Sequence, residues 1–516
     1  MLLDISDTSG LGDFFYSVFL TLYAFGIDLS KLGDVLSYDP RNPMIFCSGL
    51  FLFLFLFFSL IYNLLNKKDT LRIAFVTLFS YYFYYKSSGA YFVLLAIVTL
   101  VDYNIGRKLY KTTGLSSRKL LMFISVVVNL GLLCYFKYTN FLYQAFCPLW
   151  GGHFSPFDIM LPVGISFFTF QSMSYTIDIY RNKLQPVDRL IDYAFFVSFF
   201  PQLVAGPIVR ASDFIPQIRK PLFVSREMFG TALFLIVAGL IKKSIISDYI
   251  SVNYVDRIFD NPGLYSGVEN LLGVYGYTLQ IYCDFSGYSD MAIGIALLLG
   301  FHFPKNFDSP YKSQSVTEFW KRWHISLSSW LQDYLYISLG GNRKGKIRQY
   351  FNLMMTMLLG GLWHGANWNF ILWGGLHGFA LCVHKIWMKI RNHKKGYKNP
   401  WPVRIWATIV TFHFACFCWI FFRASSLESV EALFNKLIYE FNGAVLPQVV
   451  AGYPLVFAFM VLGYLLHFCP ESWSTACRNQ MVRMPLVLQV AVITLVVWLM
   501  LQVKGSDVVP FIYFQF

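Results

Sequence analysis

His364 stands in Gly360-Gly361-Leu362-Trp363-His364-Gly365, a stretch that is otherwise apolar. An imidazole with a pKa near neutrality can take a proton from a hydroxyl as that hydroxyl attacks a thioester. Glycines on both sides would let a substrate come close to the backbone. A hydrogen-bonded packing histidine is the plain alternative, and the residues alone leave both readings open. His324 closes the run Phe319-Trp320-Lys321-Arg322-Trp323-His324. Such a run suits a headgroup-level belt of aromatic and basic side chains. It equally suits a donor channel in which Lys321 and Arg322 meet phosphates and His324 lines the way in.

Asp284 and Asp290 lie in Tyr282-Cys283-Asp284-Phe285-Ser286-Gly287-Tyr288-Ser289-Asp290, two carboxylates in an apolar run. A carboxylate at membrane depth needs a partner, so pairing with Lys or Arg is the structural expectation and orientation of a histidine the functional one. Two motifs mislead. His153 and Asp158 have the HxxxxD spacing of glycerolipid acyltransferases, but they fall in a loop read as external, away from a cytosolic donor. Gly340-Gly341-Asn342-Arg343-Lys344-Gly345-Lys346 copies most of a GxxxxGK phosphate loop, yet Ile347 replaces the Ser/Thr and no strand precedes it. Arg343 and its neighbours could still meet donor phosphates as point charges, beside the plainer reading of solvated loop charge. The nine cysteines are odd in number, mostly within apolar runs and without CxxC pairs, so apolar packing is expected and neither a metal site nor a disulfide framework follows.

The elements that must position these groups are set by composition. Of 516 residues, 56% are apolar and only 14% charged, and the mean hydropathy is +0.51. A soluble enzyme, a disordered chain and a collagen-like fibre are excluded. The net charge of +14 sits in short clusters between apolar runs, which fits the positive-inside rule better than a nucleic-acid face. The apolar runs fall at 45–64, 73–86, 89–103, 120–137, 161–180, 228–241, 270–300, 350–364, 368–385, 404–422, 452–469 and 485–503. The first positive charge is Lys31, so no cleavable signal is expected.

Loop charge predicts the topology. Basic clusters at 67–72 and 107–119 are read as cytoplasmic, so 73–103 goes out and returns, breaking at Ser87-Ser88-Gly89. The basic loops 305–348 and 385–404 make 349–384 a helical hairpin with its outer turn near Gly365-Ala366-Asn367. His364 then lies about 24 Å from the internal loop, near the outer face. Phe199-Phe200-Pro201-Gln202 with Ala205-Gly206-Pro207 predicts a re-entrant segment covered by other helices. Residues 313–341 predict an interfacial or partly inserted helix. Residues 1–43 are expected to be an external extension, and 44–516 a single transmembrane domain.

Taken together, Met44-Ile45-Phe46, 161–171, Phe200-Pro201-Gln202, Ala205-Gly206-Pro207, 284–290, 320–324, 340–343, Trp363-His364-Gly365 and 511–516 resemble the membrane-bound O-acyltransferases, in the branch of alginate O-acetylation and D-alanyl transfer. The likeness runs over about 44–516. It implies an all-α polytopic protein with a ring of about 11–13 tilted transmembrane and re-entrant helices around a central tunnel. It places the family's essential histidine at His364 and its second at His324. Asp284 and Asn367 are the candidate supporting residues beside them. Lys321, Arg322 and Arg343 are the candidates for the donor phosphates. It implies no permanently bound cofactor, acetyl-CoA as the acyl donor from the cytoplasm, and a separate extracytoplasmic transferase as partner. The expected function is transfer of acetyl across the cell membrane for O-acetylation of a surface or secreted polysaccharide. The rivals are D-alanyl transfer from a carrier protein and a non-enzymatic transporter of a lipid-linked sugar.

Overall fold

The computed structural model describes residues 30–391 and 399–503, and among them there is helix and no strand. A helix forms in each of the apolar runs: α1 (Gly49–Leu64), α2 (Asp69–Ser88), α3 (Phe92–Lys111), α4 (Leu115–Leu133), α5 (Ile165–Tyr180), α6 (Arg226–Leu240), α7 (Gly267–Leu298), α8 (Lys346–His364), α9 (Trp368–Ile390), α10 (Trp401–Arg423), α11 (Pro454–Phe468) and α12 (Leu486–Val503). Five helical stretches are both long and apolar enough to cross a membrane: 69–111, 115–149, 226–260, 401–423 and 486–503. The rest are shorter or carry polar groups, which helices covered by other helices tolerate. The protein is a polytopic, all-α membrane protein.

The first of those stretches is two arms. Gly89 takes φ +60°, a left-handed conformation that turns the chain after α2. Thr70 at the foot of α2 accepts from Arg189 at 3.3 Å, while Tyr103 near the foot of α3 donates to the Asp188 carbonyl at 2.7 Å. Both feet therefore meet the same 188–189 turn, and the chain does go out and return. At the far end, Lys86 donates to the Val35 carbonyl at 2.9 Å and Tyr38 N–H to Tyr85 Oη at 3.2 Å, so residues 35–38 pack on the C-terminal end of α2. The apolar stretch Phe14 to Ile27 and the final 511–516 lie outside the described residues.

Polar groups inside the bundle are matched. Asp102 of α3 accepts from Ser125 and Asn129 of α4 at 2.7 Å each and from Ser172 of α5 at 2.5 Å, which ties three helices to one carboxylate. Lys243, just after α6, lies 2.6 Å from both Asp248 and Asp284, and its neighbour Lys242 pairs with Asp290. Burying such charges is tolerable only in this paired form.

Residues 193–209 are almost wholly buried, and Pro201 opens a four-residue helix Phe200–Leu203. This is the covered, broken segment expected from the prolines. Of the two expectations for residues 313–341, the structure has the partly inserted one. The helix Val316–Arg322 stops where His324 takes φ +43°, and the chain re-enters as Ile325–Trp330, carrying Trp323, His324, Leu327 and Trp330 into the core. Sequence hydropathy could not show a reversal made by one left-handed residue.

Candidate active site

The α8–α9 hairpin carries the site. Its arms pack so closely that a Cβ on Gly361 would lie 2.2 Å from the Phe370 carbonyl and one on Gly374 2.3 Å from that of Met357, the contact that small residues permit between membrane helices. The turn spans Gly365 to Asn367. Asn367 caps α9, accepting from Asn369 N–H at 3.0 Å, and donates to the Ser425 carbonyl at 3.2 Å. These bonds fix the turn that follows His364.

His364 is the last residue of α8 and only 2% exposed. Its ring is enclosed by aromatic rings edge-on, with centroids 5.0 Å from Trp363, 5.0 Å from Trp373 and 5.3 Å from Phe422. A helix end leaves its last four carbonyls without intrahelical donors. Here three of them are satisfied by the segment following α4. Tyr138 donates to the Leu362 carbonyl at 2.9 Å, and Lys137 Nζ to those of Trp363 and His364 at 2.8 Å each. An ammonium at this end also complements the helix dipole. Lys137 sits in a π-helical turn, Cys134–Tyr138, an irregularity frequent at functional sites. It lines a cavity of about 30 Å³ with Ser166, Phe167 and Trp363, enough for a water molecule.

His324 comes to the same place from another part of the chain. It is fully buried, with its ring 4.6 Å from Phe285 and 6.3 Å from Trp363, so both histidines pack against Trp363. The tautomer follows from the hydrogen bonds. Asn306 Oδ1 accepts from Ser326 N–H at 3.2 Å and from Ser326 Oγ at 2.8 Å, which makes the facing atom an oxygen. His324 Nδ1, 3.2 Å from that oxygen, must therefore carry the proton. This leaves Nε2 with a lone pair, buried and without a hydrogen-bond partner among the described residues.

The remaining predicted residues separate. Asp284 pairs with Lys243 at 2.6 Å, as the structural alternative expected. Arg322 is engaged by Glu318 at 2.9 Å and Asp308 at 3.2 Å. Burial would raise the Asp308 carboxyl, but Lys305 and Arg322 outweigh it and hold it below its ordinary value. Lys321 and Arg343 are exposed. His153 and Asp158 lie exposed in the 151–164 loop, whereas both histidines are buried. Two residues escaped sequence reasoning. Lys137 closes an apolar run and resembles an ordinary flank. His377, buried on α9, accepts from Trp320 Nε1 at 3.3 Å and packs 4.8 Å from Trp373, the ring that also covers His364; its i, i+4 placement after Trp373 was the available signal.

A membrane-embedded helical bundle with two buried histidines packed on one tryptophan defines an integral membrane protein. Residues 184–427 match the profile of the MBOAT, membrane-bound O-acyltransferase, family. The chain is similar to the probable alginate O-acetylase AlgI of Pseudomonas aeruginosa, 39% identical over 436 residues that cover 82% of this chain and 81% of that one. It is similar to a peptidoglycan O-acetyltransferase of Helicobacter pylori, 36% identical over 437 residues, 79% and 82% of the two chains. A teichoic acid D-alanyltransferase of Bacillus subtilis is 30% identical over 283 residues, 51% of this chain and 69% of that one. The chain belongs to the membrane-bound O-acyltransferase family and is a membrane-bound acyltransferase, which removes the transporter reading.

Proposed function

We infer that this protein takes acetyl from acetyl-CoA on the cytoplasmic side and passes it toward the outer side of the cell membrane for O-acetylation of an envelope or secreted polysaccharide. The observation that carries this reading is the buried His364 at the capped end of α8, packed on the same tryptophan as a second buried histidine with a free lone pair. His364 acts as general base or relay. As a hydroxyl oxygen attacks the thioester carbonyl, the imidazole takes its proton; the carbon–sulfur bond breaks, and the departing sulfur takes a proton back to leave as thiol. The aromatic enclosure excludes water, which would otherwise compete for the acyl group. His324 orients the acyl group through Nε2. Lys321 and Arg343, both exposed, meet the donor phosphates; Arg322 contributes less, since two carboxylates already hold it. A separate extracytoplasmic transferase completes delivery.

The similarity to an alginate O-acetylase and a peptidoglycan O-acetyltransferase over about four-fifths of the chain favours acetyl over D-alanyl, whose relative matches only about half of it. Membranes bearing the chain, with acceptor and partner present, should form alkali-labile ester from labelled acetyl-CoA and not from a carrier protein loaded with labelled D-alanine. The opposite pattern would replace acetyl by D-alanyl.

A further inference from the structure

A groove of about 800 Å³ opens between α10 and α11, far from the histidines in chemistry as well as in lining. Its depth is apolar and aromatic, with Tyr275, Phe412 and Tyr464 as walls, and Lys312 and Arg404 stand at one end. The helices explain this polarity. Arg404 lies in the first turn of α10, and Phe412 is eight residues further on, about 12 Å deeper. Lys312 Nζ donates to the Cys469 carbonyl at the end of α11, at 2.6 Å, which holds the ammonium at the same end. Neither cation makes an ion pair with a carboxylate of the described residues, unlike Arg322, Arg423 or Lys243.

The size lies within the roughly 300–1,000 Å³ of ligand sites. A long apolar slot ending in two cations that make no ion pair among the described residues is complementary to one kind of molecule present in every membrane. We propose that this groove is a binding site for an anionic phospholipid, with an acyl chain along Phe412 and Tyr464 and the headgroup phosphate between Lys312 and Arg404. Both cations belong to basic clusters read as cytoplasmic from their charge, so the lipid comes from the inner leaflet. The proposal does not depend on the role of His364.

The test uses the full chain in detergent, analysed by native mass spectrometry with phosphatidylglycerol and phosphatidylcholine of matched chains in equal amounts. The native chain should retain phosphatidylglycerol preferentially. Each of Lys312→Gln and Arg404→Gln should weaken that preference roughly 5-fold, and the pair roughly 25-fold. Thr408→Trp, which fills the groove without touching charge, should lower retention of both lipids. Equal retention by the native chain, or an unchanged preference in the double variant, would overturn the proposal. So would displacement of the lipid by inorganic phosphate or coenzyme A, which would make the cations a site for a soluble anion.

Discussion

Lys137 Nζ lies 2.8 Å from the carbonyl oxygen of His364 and 2.8 Å from that of Trp363, so one side chain from the end of the α4 segment holds the end of α8 in place. Both helix ends are the ones that loop charge assigns to the outer side of the membrane. The side chain that clamps the backbone does not compete for the imidazole. This division of labour makes Lys137 a positioning residue, and it has a measurable consequence.

Lys137→Met keeps the apolar stem and removes three donors. Hydrogen bonds to a charged group contribute about 1.5–3 kcal/mol each, and misplacement of the histidine is felt in the rate. Acyl transfer should fall on the order of 10- to 100-fold at equal membrane abundance. Lys137→Arg, which keeps donors and charge, should recover part of it. Full activity in the methionine variant would show that the clamp does not position His364.

The tautomer of His324 gives a second prediction. Asn306→Leu removes the acceptor that holds the proton on Nδ1, whereas Ser326→Ala leaves that acceptor in place. The first should reduce transfer by about tenfold or more, the usual scale for losing a partner that orients a histidine. The second should have a markedly smaller effect. Measured rates in the reverse order would mean that Asn306 does not set the tautomer.

Close packing of the hairpin gives a third. Gly361→Ala forces a Cβ to within 2.2 Å of the Phe370 carbonyl, a backbone atom that cannot yield without moving α9. Gly375→Ala would meet only the end of Leu358, at 3.5 Å. The first should destabilise by at least about 1–3 kcal/mol, the scale of overpacking, and lower the thermal midpoint of the purified protein; the second should leave it unchanged. Equal midpoints would contradict the described hairpin contact.

Sequence reading reached the scaffold further than the site. The α8–α9 hairpin and its turn at 365–367 were legible because basic clusters flank it and a glycine-rich stretch marks the bend. The break at Gly89 and the covered segment around Pro201 were legible for the same local reason. Asp284 was seen to need a partner, but nothing in the chain said that Lys243, forty-one residues earlier, supplies it: pairing between helices is a property of packing. Lys137 was invisible because a lysine at the end of an apolar run is ordinarily a flank. His324 was left between a headgroup-level belt and a donor channel, since its inward turn depends on a single left-handed φ. Whether His364 and His324 meet was undecidable from a separation of forty residues, and only the shared contact with Trp363 brings them together.

The ion triad around Lys243 gives a fourth prediction. Lys243→Met leaves Asp248 and Asp284 facing each other without the cation between them, and breaking a buried pair this way costs about 3–5 kcal/mol. Asp284→Asn keeps Lys243 paired with Asp248 and should cost less. Thermal unfolding of the two purified variants checks the order. A Lys243→Met protein as stable as the native one would show that the triad is not buried as described.

The central claim is that His364 carries the acyl transfer. It is tested by incorporation of radiolabelled acetyl from acetyl-CoA into alkali-labile ester, in membranes bearing the native chain or its His364→Ala form at equal expression, with polysaccharide acceptor and extracytoplasmic partner supplied. Label that forms with the native chain and disappears with the substitution is the expected result. Equal label with both would contradict the account and remove His364 from the mechanism.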